Sequence, residues 1–148
     1  MLAQNNSQSK KRHLEILSVE DNPADRTLIA MMLKESAHQN HVSFVLDGSE
    51  ALNYLRRHGE HRNAISPDLI LLDLNLPKKT GLEVLSEIRS DSSLRDIPVL
   101  VLSTSESRDE VSKCLALDAD YVTKPFNLER CAIVQEAIDR FCERVNLS

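Results

Sequence analysis

Residues 68–73 have the sequence DLILLD, in which four consecutive aliphatic residues stand between two aspartates. An uninterrupted apolar run of this length predicts a β-strand that is buried on both faces, because a strand with one wet face would alternate polar and apolar residues. Val99 to Leu102 form a second run of the same kind, introduced by Pro98. Two such strands indicate the interior of a parallel sheet that helices cover on both sides.

Strand and helix patterns alternate on either side of these two runs. Further strands are predicted at Leu14–Val19, His41–Leu46 and Tyr121–Val122, and apolar residues with helical spacing follow every strand. The helices are marked by Leu28, Ile29, Met32 and Leu33, by Ala51, Leu52 and Leu55, by Leu82, Leu85 and Ile88, by Val111, Cys114 and Leu115, and by Val134, Ala137, Ile138 and Phe141. Five strand-helix units in succession, (βα)5, predict an α/β fold with an open parallel sheet.

Length and composition favour one small domain. The 148 residues fit a single domain, which we expect over residues 13–145, with a polar, flexible tail at 1–12 and no separate output domain. The net charge of -5 argues against a general nucleic-acid binder. No apolar run has the length of a signal peptide core or a membrane span, so we expect no membrane association and a cytoplasmic location. The three widely spaced cysteines form neither a disulfide framework nor a metal motif.

Polar residues follow four of the five predicted strands. Glu20-Asp21 follow the first strand, Asp73 the third, Ser103-Thr104 the fourth and Lys124-Pro125 the fifth. Each of them alone is explained as a helix cap, a turn residue or a solvated charge. Sites in open parallel sheets form outside the carboxyl ends of the strands, so four complementary strand ends predict that these side chains converge.

Three carboxylates that meet at one sheet edge repel each other, so positive charge must offset them. Lys124 supplies one such charge, and a divalent cation would supply the rest. Oxygen ligands and open water positions suit Mg²⁺. An aspartate beside that ion can attack phosphorus and form an aspartyl phosphate, which makes Asp73 a candidate nucleophile.

These residues together resemble the receiver domain of two-component response regulators, over roughly residues 14–143. The resemblance rests on Val19-Glu20-Asp21-Asn22, Asp73-Leu74-Asn75-Leu76-Pro77 with Gly81, Pro98 to Thr104, and Tyr121-Val122-Thr123-Lys124-Pro125-Phe126. It implies a flavodoxin-like sheet with strand order 2-1-3-4-5. Within the family, residues 71–79 (LLDLNLPKK) and the polar loop 58–66 resemble stand-alone regulators paired with bacterial phytochrome kinases.

The resemblance implies a role for each residue of the metal site. Asp73 would be the phosphoacceptor and would share Mg²⁺ with Asp21, with Glu20 and with the backbone carbonyl of Asn75. Lys124 would contact the phosphoryl group. Glu20 replaces an aspartate that is commoner in the family, and this change keeps the chemistry.

Further roles concern the response to phosphorylation. Ser103, in place of the commoner threonine, would bind a phosphoryl oxygen, and Tyr121 would be the switch aromatic. Asn75 and Ser105 would influence dephosphorylation. The bond before Pro125 is a cis-peptide candidate.

The function implied is that of a phosphorylation switch rather than an enzyme. A histidine kinase, in the narrower match a phytochrome-type photoreceptor kinase, would donate to Asp73 in a phosphorelay. The partners implied are that kinase and a downstream target or phosphotransfer protein. A homodimer through the fourth helix, fifth strand and fifth helix is a further expectation.

Three alternatives remain open at the level of the sequence. A receiver fold could serve as a binding module without being switched. A flavodoxin-like electron carrier would need stacking aromatics and a phosphate-binding loop after the first strand, where Glu20-Asp21 would repel phosphate. An aspartate-nucleophile phosphatase would need a second acid two residues beyond Asp73, where Asn75 stands instead.

Overall fold

The computed structural model describes residues 13–124 and 127–147, and of residues 128–131 and 146–147 it describes the backbone. The predicted tail and Pro125 lie outside the described residues. The elements are β1 (Leu14–Val19), α1 (Pro23–Lys34), β2 (Asn40–Val45), α2 (Gly48–Arg56), a 3-10 turn (Gly59–His61), β3 (Leu69–Leu72), α3 (Gly81–Ser90), β4 (Val99–Ser103), α4 (Arg108–Ala116), β5 (Asp120–Thr123) and α5 (Leu128–Leu147). The strands form one sheet in the order β2-β1-β3-β4-β5, and every neighbouring pair is parallel. The predicted fold class and strand order are confirmed.

The continuous apolar run of β3 is explained by two cores on opposite faces of the sheet. Ile70 and Leu72 face the core built with α2, α3 and α4, whereas Leu69 and Leu71 face the core built with α1 and α5. All four side chains are buried. Because successive side chains of a strand point to opposite faces, a strand between two helix layers has no polar position.

Local capping fixes where the helices beside the carboxyl edge of the sheet begin. Asn22 caps α1, since its side-chain oxygen accepts a hydrogen bond from the backbone N–H of Asp25 at 3.0 Å, and Pro23 follows at the first helical position. Thr80 and Glu83 form a capping box at the start of α3. The first turns of α1 and α3 are thereby held next to the ends of β1 and β3.

Several boundaries and positions differ from the sequence predictions, among them β2, which begins at Asn40, and β5, which covers Asp120–Thr123. Strand β2 ends at Val45, and Leu46 is exposed beyond it. Strand β4 includes Ser103, and α5 continues past Phe141 to Leu147 because Cys142 and Val145 extend its buried face. Leu115 is 57% exposed, so the core position of α4 is Cys114. Periodicity alone cannot say which edge of an apolar stripe faces the sheet.

The described cysteines are buried free thiols rather than disulfides. Cys114 and Cys142 both lie in the core. Burial raises the pKa of Cys142 to about 11, so its thiol stays protonated at neutral pH. No helix within residues 13–124 and 127–147 combines the length and apolar character needed to cross a bilayer.

Candidate functional site

The carboxyl ends of four parallel strands bring the predicted polar residues to one edge of the sheet. Glu20, Asp73, Ser103 and Lys124 are buried there, and Asp21 is exposed at the mouth. Sheet hydrogen bonding reaches the site itself. The backbone N–H of Glu20 donates to Val45, that of Asp73 to Val19 and that of Lys124 to Ser103. The side chains therefore leave from a backbone that the sheet holds in place.

The three acids at this edge form a cluster that suits a hard cation. One carboxylate oxygen each from Glu20, Asp21 and Asp73 lies within 4.8 Å of the other two. Arg26 of α1 holds the backbone of Glu20 and Asp21 in place. Its Nη1 donates to the backbone oxygens of Glu20 at 3.3 Å and of Asp21 at 3.0 Å. Glu20 Oε2 also accepts from the N–H of Asn22 at 3.2 Å. An all-oxygen set with one exposed side fits Mg²⁺ or Mn²⁺, which keep several water ligands.

Lys124 is the buried cation of the site. Its Nζ lies 2.6 Å from Glu20 Oε1, 2.9 Å from Asp25 Oδ2 and 3.6 Å from Asp73 Oδ2. The sequence did not indicate Asp25 as a site residue, because an acid in the first turn of a helix is explained by the helix dipole. Only the folded structure, in which the Lys124 side chain reaches the first turn of α1, shows that Asp25 contacts the lysine.

Burial and mutual charge set the protonation of the pair at the centre. The pKa of Glu20 is raised to about 7, mainly because the side chain is buried. The hydrogen bond from Lys124 lowers this pKa, and the negative charge of Asp73 raises it. Burial by itself would lower the pKa of Lys124, but hydrogen bonds to Glu20 and Asp25 more than offset this and the pKa is raised. Lys124 is therefore charged at neutral pH, whereas Glu20 titrates near neutrality.

The contribution of Glu20 to the stability of the metal-free protein is expected to fall as the pH rises from 4.5 to about 7, by about 3 kcal/mol. In this interval the folded state holds a proton on Glu20 that the unfolded state has released. The stabilisation is complete below the unfolded pKa and is lost as the pH passes the folded pKa. Urea unfolding in the presence of a chelator, across this pH range, measures the effect.

Glu20→Gln is the matched control, because it removes the titrating carboxyl group and leaves all histidines in place. Its stability should change less with pH than that of the wild type. Equal pH slopes in the two proteins would contradict the assignment of the titration to Glu20.

The loop after β4 connects Ser103 to Tyr121. Ser103 Oγ accepts from the N–H of Ser105 at 3.2 Å, and the hydroxyl of Tyr121 donates to the carbonyl oxygen of Ser105 at 2.6 Å. Burial raises the pKa of Tyr121, so its hydroxyl remains a donor at neutral pH. Ser105 Oγ is also hydrogen-bonded to Glu110 of α4, a residue that the sequence did not single out. A movement of Ser103 would therefore reach both Tyr121 and α4.

Asn75 lies at the mouth of the site. Its backbone N–H donates to Asp73 Oδ1 at 3.2 Å, and its side-chain amide is 3.5 Å from Thr104 Oγ1 across the opening. Both positions are consistent with an influence on the access of water to Asp73. The roles of the Asn75 carbonyl as a metal ligand and of Asn75 and Ser105 in dephosphorylation stay predictions.

The comparisons with known proteins agree on one protein family. A family model described as the response regulator receiver domain matches residues 16–135. The response regulator Rcp1 of Synechocystis sp. is 42% identical over 127 residues, which are 85% of this chain and 86% of Rcp1. The crystal structure of its Mn²⁺-bound form superposes with a TM-score of 0.81 over 87% of this chain and 94% of that chain.

Two further solved structures are similar. The phosphorylated cyanobacterial phytochrome response regulator RcpA is 49% identical, with a TM-score of 0.81 over 88% of this chain and 94% of that chain. The receiver domain of the sensor histidine kinase PA1611 of Pseudomonas aeruginosa, with a magnesium ion in its active-site cleft, is 30% identical. Its TM-score is 0.72, over 93% of this chain and the whole of that chain.

Proposed function

The chain belongs to the response regulator receiver domain family. We propose that it is a phosphorylation switch in which Asp73 accepts a phosphoryl group beside Mg²⁺. The observation that supports this most is the contact set of Asp73. Its carboxylate lies within 4.8 Å of two further carboxylates and 3.6 Å from the ammonium group of Lys124. A nucleophile, a cation site and a positive side chain thus occupy one partly open cleft.

Different residues of the cleft would have different roles in phosphoryl transfer. Glu20, Asp21 and Asp73 would hold Mg²⁺, with the backbone carbonyl of Asn75, and the bound ion supplies positive charge beside the transferring group. A carboxylate oxygen of Asp73 forms the new bond to phosphorus while the bond from phosphorus to the histidine nitrogen of the donor breaks. Lys124 stabilises the charge on the phosphoryl oxygens.

Phosphorylation would reach the surface through the loop after β4. The hydroxyl of Ser103 donates to a phosphoryl oxygen when it turns toward Asp73. Because Ser103 is hydrogen-bonded to Ser105, and Ser105 to Tyr121 and Glu110, the loop, the aromatic ring and α4 respond together. The shift would favour one of two surface states that a partner distinguishes.

The output surface that we propose is the groove between α4, β5 and α5. It has a volume of about 790 Å³ and is lined by Val111, Leu115, Tyr121, Ala137 and Arg140, among others. The groove exposes the apolar side chain of Leu115 and is also lined by charged residues, among them Glu143 and Arg144. We propose that a second copy of the chain binds this surface, and sedimentation before and after phosphorylation tests for the dimer. A monomer in both states would contradict it.

The donor that we propose is a histidine kinase of the phytochrome type, because RcpA is described as a phytochrome response regulator and is 49% identical to this chain. The signal would pass to a downstream protein or phosphotransfer protein. Residues 13–145 would act as one receiver domain in the cytoplasm, without direct contact to nucleic acid. We propose a signalling switch rather than a phosphatase, and measurable turnover of an aryl phosphate would reopen that alternative.

The first test is incubation of the protein with acetyl phosphate and Mg²⁺, followed by intact-mass measurement. We expect the mass to increase by one phosphoryl group, and chelation of the metal to prevent the increase. The metal dependence follows from the three carboxylates, which would otherwise repel the anionic donor. An unchanged mass in the presence of Mg²⁺ would contradict the proposed function.

A further inference from the structure

Asp25 is a fourth carboxylate at the site, and it differs from the other three in its contacts. It lies in the first turn of α1, and its Oδ2 is 2.9 Å from Lys124 Nζ. It is not a member of the cluster formed by Glu20, Asp21 and Asp73. Its side chain is 24% exposed, while that of Lys124 is 4% exposed. Asp25 therefore contacts the buried ammonium group from outside the cation site.

Glu20 and Asp73 belong to the cation site and also contact Lys124. Both carboxylates lie within 4.0 Å of Lys124 Nζ. When these two ligate a cation, their charge is shared with that ion and their attraction for Lys124 falls. A buried ammonium group that loses its carboxylate partners is strongly destabilised, because it has given up its hydration.

We infer that Asp25 is a positioning residue that remains the counter-ion of Lys124 when the cluster holds a divalent cation. This inference rests on the proposed metal site and assigns Asp25 a part in its affinity. Asp25 keeps a carboxylate in contact with the ammonium group of Lys124 while the cation is bound to Glu20 and Asp73. Without Asp25, the lysine competes with the cation for Glu20 and Asp73, and binding becomes weaker.

The local structure holds Asp25 in the orientation that this role needs. Its backbone N–H is bound by the side chain of Asn22, and Pro23 fixes the start of the helix. The neighbouring Arg26 directs its guanidinium group at the backbone oxygens of Glu20 and Asp21. The first turn of α1 thus supports both the acid pair after β1 and the lysine after β5.

The test is calorimetric titration of the unphosphorylated protein with Mg²⁺. Asp25→Asn keeps the size of the side chain and removes its charge, and we expect the dissociation constant to rise about tenfold, as for the loss of one charged hydrogen bond. Asp25→Glu restores the charge and should recover most of the affinity. Glu35→Gln removes the same charge at the other end of α1 and should leave the affinity within about twofold.

A second arm separates the role through Lys124 from simple attraction of the cation. In a Lys124→Met background, Asp25→Asn should change the Mg²⁺ dissociation constant by less than about twofold, since no buried ammonium group needs a partner. A tenfold effect that persists in that background would overturn the inference. Lys124→Gln takes the place of Lys124→Met if circular dichroism shows the latter to be unfolded.

The outcomes also distinguish this inference from the function it rests on. If the wild type does not bind Mg²⁺ at all, the proposed metal site fails and the inference fails with it. If the wild type binds Mg²⁺ and Asp25→Asn binds it equally well, only the role of Asp25 is overturned.

Discussion

Replacing Asp73 with asparagine is expected to abolish phosphorylation by acetyl phosphate completely. The amide has the size of the carboxylate, so it can occupy the same space, but it offers phosphorus no anionic oxygen. It also removes one of the three acids of the cation cluster. The intact mass of Asp73→Asn should stay constant under conditions in which the wild type gains one phosphoryl group.

The loss should not come from unfolding. Removing the charge of Asp73 relieves its repulsion of Glu20 but also removes its attraction for Lys124, 3.6 Å away, and the two effects oppose each other in the metal-free protein. Urea unfolding without metal should therefore show Asp73→Asn to be folded, with a stability close to that of the wild type.

Asp109→Asn is the control for this loss, because it removes an exposed carboxylate of α4 that pairs with Lys113 outside the cleft. It should gain the phosphoryl group as the wild type does. If Asp73→Asn were phosphorylated as well, another residue would be the acceptor.

The same variant decides between a switch and an unswitched binding module. A switch requires that binding of the output partner differ between phosphorylated and unphosphorylated wild-type protein, and that Asp73→Asn stay in the unphosphorylated state. Partner binding that is identical in all three samples would favour the binding module.

Gly81→Ala is expected to destabilise the fold by about 3 kcal/mol or more. A Cβ atom at Gly81 would lie 2.3 Å from the backbone oxygen of Asp73 and 2.6 Å from the Cα of Leu74. Both are backbone atoms, and the N–H of Gly81 donates to the carbonyl oxygen of Leu74 at 2.9 Å, which holds them close. The start of α3 would have to move away from the end of β3, and the buried face of that helix with it.

Gly59→Ala is the matched comparison. Gly59 has a φ of 59° and open space around its Cβ position, so the substitution meets backbone strain without overlap and should cost about 1 kcal/mol. Urea unfolding of both variants gives the two losses in free energy of unfolding. Similar losses would mean that α3 moves aside easily and that the close approach at Gly81 is unimportant.

The close approach at Gly81 affects the phosphoacceptor as well as the stability of the fold. The atom that a Cβ would strike belongs to Asp73 itself, so a shifted backbone would displace the carboxylate as well. We therefore expect the fraction of Gly81→Ala that remains folded to be phosphorylated more slowly than the wild type.

The sequence by itself determined the fold and the edge at which the site forms. Alternating apolar runs and helical spacings gave the five parallel strands, because strand and helix periods are local properties of the chain. The polar residues after β1, β3, β4 and β5 could be assigned to one edge, because all strands of a parallel sheet end on the same side.

The tertiary structure alone decided which groups contact each other at that edge. Lys124 and Asp25 are 99 positions apart and meet only because the fold places the end of β5 and the first turn of α1 at the same edge of the sheet. The raised pKa of Glu20 likewise needs the burial that surrounding elements provide. The need for glycine at position 81 follows from the distance between α3 and the backbone of Asp73. Local sequence fixes periods and caps, whereas such contacts depend on how helices and strands pack, which no single segment specifies.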